Sequence, residues 1–165
     1  MSTGDFFGLW LHVLAVVVYG GATLAVLAMI LPAARAVPDP SARRTFLAHA
    51  LLVYDPLAIA ALGVLVMSGA INLTTYKSAL RGDFFARVGW LLVWKLCLAF
   101  FVVMVGTYIT FGLGHRIVRQ EMAGEPVDVE WLASMSRRLA WACVLVLFLL
   151  AGTTWLGLEL AHPHG

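Results

Sequence analysis

Residues 87–104, RVGWLLVWKLCLAFFVVM, form an apolar run with a single lysine, Lys95, near its centre. The run stays apolar as far as His115, so it is longer than the roughly 20 residues that cross the hydrocarbon core of a bilayer. It therefore predicts a transmembrane helix. A lysine inside such a helix costs roughly 2.5–3.5 kcal/mol on insertion scales, so Lys95 needs a partner or a function.

The composition of the whole chain agrees with a membrane protein. Of the 165 residues, 62% are hydrophobic and 12% are charged, whereas a soluble domain carries about 25% charged residues. The length predicts one domain over residues 1–165. A net charge of +2 without a basic run argues against nucleic-acid binding. The N-terminus lacks a basic segment, so we expect it to lead into a first membrane helix rather than a cleaved signal peptide.

Four apolar stretches are long enough to span a bilayer. The fold class that they predict is all-α, an integral membrane four-helix bundle. The third stretch is over-long for one crossing, and we expect it to tilt or to project beyond the bilayer. The predicted helices cover about residues 6–31, 46–73, 85–117 and 131–160.

The basic residues predict an orientation. Seven lie at one end of the predicted bundle and three at the other, and the positive-inside rule places the richer end in the cytoplasm. Both termini are then on the periplasmic or outer side, and we expect a multi-pass protein of a bacterial-type inner membrane. The richer end has Arg35, Arg43, Arg44, Arg116, Arg119, Arg137 and Arg138, and the other has Lys77, Arg81 and Arg87.

Two polar residues of the predicted spans lie at similar levels, in the outer half of the predicted bundle. At a rise of 1.5 Å per residue, His12 lies about 9 Å and Lys95 about 15 Å from the outer end of its helix. His49 and His115 fall near the cytoplasmic ends of helices two and three, where they form a candidate second site. Asp55 and Glu159 complete the set of polar residues in or near the spans.

The helical face of Lys95 has room for a ligand. Ala99, Val102 and Gly106 follow Lys95 on one face, and these side chains are small. His115 comes twenty residues after Lys95, which is a rotation of about 200° at 3.6 residues per turn. We therefore expect that one ligand does not touch both residues.

Haem is the first candidate ligand. An inward-facing histidine and a second ligand on a facing helix can hold an iron porphyrin in a helix bundle. His12 is one candidate axial ligand, and Gly20 leaves room for a flat molecule beside it. Lys95 is the other candidate, provided that it is neutral. Trp90 is a candidate to flank a porphyrin, with a position in the interfacial aromatic belt as the default interpretation. The alternative from residue types alone is that His12 hydrogen-bonds a facing helix and Lys95 extends outward to water.

Copper is the second candidate. Met29, Met67 and Met104 are soft ligands, but their scattered positions are typical of side chains that fill gaps in packing. The C-terminal residues offer a candidate outer metal site, for which a frayed and solvated terminus is the alternative. Its ligands would be Glu159, His162 and His164.

The remaining features indicate mainly structural roles. Cys97 and Cys143 lie in apolar segments without metal-binding spacing, so we interpret them as packing residues. Asp55 precedes Pro56, which frees a backbone carbonyl at a predicted kink. A proton relay at Asp55 and an ion pair of Asp55 with Arg43 or Arg44 are both open.

Three stretches carry a family resemblance: residues 11–21, LHVLAVVVYGG; residues 65–69, LVMSG; and residues 89–96, GWLLVWKL. Together they touch three of the four helices. The chain resembles the superfamily of small four-helix membrane proteins that includes the copper-resistance protein D (CopD) domain and the HemJ-type protoporphyrinogen oxidases. The HemJ resemblance implies that His12 and Lys95 are the haem-associated pair. The CopD resemblance implies copper handling without naming ligands.

The chain departs from the HemJ pattern at three places. Tyr19 stands where a tryptophan is common, residues 28–32 lack an expected arginine, and a histidine expected near Gly106 is absent. The resemblance therefore implies haem more directly than it implies an oxidase activity.

The sequence thus predicts a b-type haem protein with the haem in the outer half, between helices one and three. Its function would be electron transfer or a small haem-dependent membrane oxidoreductase of the protoporphyrinogen oxidase kind. The alternatives are a CopD-like copper transport or tolerance protein and a non-catalytic accessory subunit of a larger membrane complex. The expected partner is the lipid bilayer. A redox partner, other membrane subunits and a second copy of the chain are open alternatives.

Overall fold

The computed structural model describes residues 3–80 and 84–161, and all the regular structure in these ranges is helical. Two short π-helical segments, Val26–Ile30 and Tyr108–Gly114, interrupt the first and third of the long helical stretches. The helices in chain order are α1 (Thr3–Ala25), α2 (Leu31–Ala36), α3 (Pro40–Leu80), α4 (Phe84–Thr107), α5 (His115–Met122) and α6 (Val129–Ala161).

Four helical stretches are long and apolar enough to cross a membrane, which confirms the all-α class and the predicted number of candidate spans. Each has between 31 and 36 residues. All four therefore exceed the roughly 20 residues that one crossing needs, and not only the third. They are Phe6–Ala36, Pro40–Thr75, Gly89–Met122 and Val129–Glu159.

The helices extend beyond the predicted bounds for local reasons. The first stretch passes Pro32 because this residue opens α2 directly after a π-helical turn, where a missing N–H is tolerated. Helix α3 begins at Pro40 rather than at residue 46, because Asp39 caps it. The Asp39 carboxylate accepts hydrogen bonds from the Ser41 hydroxyl and from the Ala42 backbone N–H, the latter at 2.9 Å.

Successive spans run antiparallel, which gives the bundle two distinct halves. Near one end, Arg44 of α3 meets Glu121 of α5. Near the other, His12 of α1 meets Ser68 of α3. The loop half, named after loops 37–39 and 123–128, contains residues 20–61 and 103–145. The terminal half contains residues 6–19, 62–75, 89–102 and 146–159.

The two halves differ in packing. In the terminal half, none of the described residues 89–101 and 151–159 is buried. The large side chains with less than 2% exposure lie mostly in the loop half, where the spans interdigitate. That group includes Leu47, Leu51, Ile109, Leu113, Ile117 and Leu139.

A polar cluster joins the spans at the end of the loop half. Arg44 donates from Nε to a Glu121 carboxylate oxygen at 2.6 Å and from Nη1 to the Glu125 carbonyl at 2.7 Å. The Thr45 hydroxyl donates to the other Glu121 oxygen at 2.6 Å. Charge-assisted bonds of this kind fix α3 against α5 and the loop that follows it.

Candidate functional site

The candidate site of the terminal half starts at His12. This residue lies on the inward face of α1 with Gly8, Ala15 and Tyr19, which are all buried. Its Nδ1 atom lies 3.0 Å from the Ser68 hydroxyl of α3. The imidazole is therefore held between two helices.

The hydrogen bonds of Ser68 bear on which nitrogen of His12 carries the proton. The Ser68 hydroxyl has one hydrogen, and its oxygen lies 2.6 Å from the Val64 carbonyl and 3.2 Å from the Leu65 carbonyl, which can only accept. A hydroxyl that donates to one of these carbonyls accepts from Nδ1–H of His12, and in that tautomer Nε2 carries the free lone pair.

Gly69 provides the surface on which the imidazole rests. A Cβ atom at Gly69 would lie 3.4 Å from Cε1 and 3.7 Å from Nδ1 of His12. These distances are ordinary van der Waals contacts, so the imidazole packs directly against Gly69. Ser68 and Gly69 therefore both contact the His12 ring.

Lys95 is half-buried on the face of α4 predicted for it, with Val102 and Gly106 buried further along that face. Its Nζ atom points towards α6, where a Cβ at Gly157 would lie 3.2 Å away. Among the described residues Lys95 has no carboxylate partner.

The terminal half thus contains both residues that the sequence singled out, each half-buried. His12 contacts Ser68 of α3, and Lys95 points towards Gly157 of α6. A hydrogen bond to the second ring nitrogen is typical of metal-ligating imidazoles.

The other predicted cofactor contacts lie on different surfaces. Gly20 faces α6, where its added Cβ would lie 3.8 Å from Leu150. Trp90 is 72% exposed and packs edge-on against Trp94, with ring centroids 5.8 Å apart. Trp90 therefore has the exposure of an interfacial belt residue.

The candidate second site has a different character. His49 and His115 are both exposed, and His49 donates from Nδ1 to the Thr45 carbonyl of its own helix at 2.8 Å. Asp55 lies further inside the loop half, where a Cβ at Gly114 would come within 2.8 Å of its carboxylate. Its Oδ1 is buried without a hydrogen bond, while Arg44 binds Glu121 instead.

The candidate outer metal site is only partly described. Glu159 is exposed and accepts a hydrogen bond from the Trp155 indole at 3.0 Å, whereas His162 and His164 lie outside the described residues. No group of three or more His, Cys, Asp and Glu side chains that could hold a metal ion occurs within the described ranges. The candidate soft ligands Met29, Met67 and Met104 are exposed on three different spans.

Ser68, Gly69 and Gly157 were not predicted as site residues. The available signal was a serine, Ser68, within an apolar helix. Its contact with His12 depends on the register of α1 against α3, which the sequence does not show. No known protein family, curated protein or solved structure matches the chain.

Proposed function

We propose that the terminal half binds a b-type haem with His12 as axial ligand, and that the protein serves membrane electron transfer. The observation that carries the proposal is the distance of 3.0 Å between His12 Nδ1 and the Ser68 hydroxyl, which would leave Nε2 to bind the metal when Nδ1 carries the proton. The bound haem would supply a one-electron couple inside the bilayer.

Lys95 has a defined place in this proposal. It is half-buried, lacks a carboxylate partner among the described residues, and lies in the same half of the bundle as His12. A protonated lysine in the membrane interior needs an anionic partner, whereas a neutral lysine amine can ligate a metal. Lys95 would therefore serve either as the second axial ligand, in its neutral form, or as the partner of a haem propionate.

The terminal half is the less tightly packed part of the molecule. Described residues 89–101 of α4 are at most half-buried. The loop half holds the spans together independently through its buried side chains. This division supports a cofactor that enters a preformed scaffold.

The membrane setting follows the distribution of charge. We infer that the loop half faces the cytoplasm, because its end holds the larger group of arginines. We also infer membership of the CopD-like and HemJ-type superfamily from residues 11–21, 65–69 and 89–96. A haem-dependent oxidoreductase activity is the enzymatic form of this proposal.

Haem titration into the full-length chain in detergent tests the proposal. We expect a Soret band with six-coordinate b-type features in the wild type, and its loss in His12→Ala. His49→Ala and His115→Ala are matched controls, because both histidines are exposed in the loop half, and both variants should bind haem as the wild type does. A wild-type chain that takes up no haem, or a His12→Ala variant that binds it equally well, would contradict the proposal.

Ser68→Ala tests the positioning of His12 separately from its ligation. Removing the hydroxyl that accepts from Nδ1–H should weaken haem binding about 10- to 100-fold, the usual effect of losing a group that hydrogen-bonds a metal-ligating histidine. Ser136→Ala is the control, because Ser136 of α6 is half-buried and bonds only its own helix at Leu132. The expected result is a change in affinity with the six-coordinate spectrum retained at saturation.

Two substitutions distinguish the roles of Lys95. Arginine keeps the positive charge but does not deprotonate, so it can pair with a propionate and cannot ligate iron. If Lys95 is a ligand, Lys95→Arg and Lys95→Leu should both lose the six-coordinate spectrum. If it binds a propionate and another ligand such as water completes the coordination, Lys95→Arg should keep the spectrum and the affinity, and Lys95→Leu should lose affinity alone.

A further inference from the structure

A cavity of about 390 Å³ lies between α3 and the third span, near the middle of the bundle. Its volume is in the range of small-molecule sites. Exposed residues form its rim, so it opens to the lipid phase. Its lining includes Ile59, Gly63, Val66, Met67, Gly106 and Phe111.

Unpartnered hydroxyl groups border this otherwise apolar cavity. Tyr19 is only 1% exposed, and its Oη atom is buried without a hydrogen-bond partner. That oxygen lies against a lining residue, because a Cβ at Gly106 would be 2.4 Å from it. The side chains of Thr107 and Thr110 line the same cavity and have no hydrogen-bond partner among the described residues.

The π-helical segment Tyr108–Gly114 begins beside these hydroxyls. A threonine in a regular membrane helix ordinarily donates to a carbonyl three or four residues earlier. Thr153 and Thr154 do so, both to the Leu150 carbonyl. Thr110 lies within the π-helical segment and makes no such bond, which leaves its hydroxyl available to a ligand.

The exposed rim residue Gly63 leaves open space in the cavity. A Cβ atom at Gly63 would have no atom within 4 Å. An unpaired buried hydroxyl costs free energy, and a ligand that accepts its hydrogen bond recovers that cost. The chemistry required is therefore a flat or flexible apolar molecule with a carbonyl acceptor.

We propose that this cavity binds a lipid-soluble quinone, with the Tyr19 and Thr110 hydroxyls donating to its carbonyl oxygens. Met67 of the rim is the neighbour of Ser68 in the chain, so the quinone would lie next to the His12 site. The choice of a quinone among carbonyl-bearing lipids rests on the electron-transfer function proposed above. The cavity and its hydroxyls do not depend on that function.

Equilibrium binding of radiolabelled decylubiquinone to the full-length chain in nanodiscs tests the proposal, with empty nanodiscs as background. We expect saturable binding in the wild type. Gly63→Leu should abolish it by filling the cavity. Gly21→Leu is the matched control, since a Cβ there also has no atom within 4 Å but Gly21 does not line the cavity.

Tyr19→Phe and Thr110→Val test the hydrogen bonds to the quinone without disturbing the fold, because each removes or replaces only an unpartnered hydroxyl. Each should weaken binding about 3- to 10-fold, the usual effect of one neutral hydrogen bond, without lowering the melting temperature. Decylbenzene, which has the chain but no carbonyl, should not compete.

Two results would overturn the inference. One is wild-type binding in Gly63→Leu. The other is unchanged binding in both hydroxyl variants, which would mean that an ordinary acyl chain fills the cavity. All these measurements use protein without haem, so a failed haem titration leaves them unaffected. Conversely, a failed quinone experiment leaves the His12 assignment unaffected.

Discussion

The loop half and the terminal half contain parts of the same four spans but differ in packing and in the polar residues that they contain. The loop half places large apolar side chains at less than 2% exposure and adds an ion pair between Arg44 and Glu121. In the terminal half, residues 89–101 of α4 are at most half-buried, and the polar residues His12 and Lys95 occupy inward positions. We therefore attribute stability to the loop half, which allows the terminal half to contain polar residues that are costly to bury.

Truncation of a buried leucine gives the largest expected contrast between the halves. Leu139 of the loop half is 0% exposed, so Leu139→Ala should lower the free energy of unfolding by about 2–5 kcal/mol through the cavity that it creates. Leu96 of the terminal half is 51% exposed, and Leu96→Ala should change stability far less. Denaturation in detergent, followed by helical circular dichroism, measures both. Equal losses would remove the distinction between the halves.

Loss of the Arg44 partner is the next largest effect. Glu121→Ala leaves the Arg44 side chain, which is 8% exposed, without its carboxylate and should cost about 1–3 kcal/mol. Glu125→Ala is the matched control, because Glu125 contributes only its backbone carbonyl to this cluster. An unchanged haem affinity in Glu121→Ala would indicate that the loop half and the terminal half act independently. Similar melting temperatures for the two variants would argue against a stabilising role of the ion pair.

The smallest effect concerns the cap of α3 at Asp39. Hydrogen bonds from the Ser41 hydroxyl and the Ala42 backbone N–H hold the pKa of the Asp39 carboxyl below its usual value. A lowered pKa in the folded state means that the stabilisation is present above the unfolded pKa of about 3.9 and is lost as the pH falls through the folded value. Asp39→Ala should therefore melt slightly earlier than the wild type at pH 7, with the difference shrinking below about pH 4. A difference that is constant over this range would exclude the carboxylate as its source.

Much of the architecture was readable from the sequence because long apolar runs have few alternatives in a bilayer. The number of spans and the inward face of Lys95 follow from length and helical periodicity. The exact helix ends do not, since Pro32 lies in the first turn of α2 although the first helix was predicted to end at residue 31, and α3 begins at Pro40 rather than at residue 46.

The candidate site was predictable only in part. Burial cost alone draws attention to His12 and Lys95, whatever their neighbours. Their partners Ser68 and Gly157 depend on how the spans pack against each other, and one sequence does not specify that register. The same holds for the unpartnered hydroxyl of Tyr19, which becomes visible only when Gly106 is packed against it.

Hydrogen exchange of the full-length chain in nanodiscs, with and without haem, tests the division of the molecule most directly. Without haem, we expect the terminal parts of α1, α4 and α6 to exchange faster than the buried segments of α5 and of the first half of α3. Haem should slow exchange in the terminal half, including residues 8–16 and 91–99, and leave the loop half unchanged. Protection confined to the loop half, or no change at residues 8–16, would contradict the account.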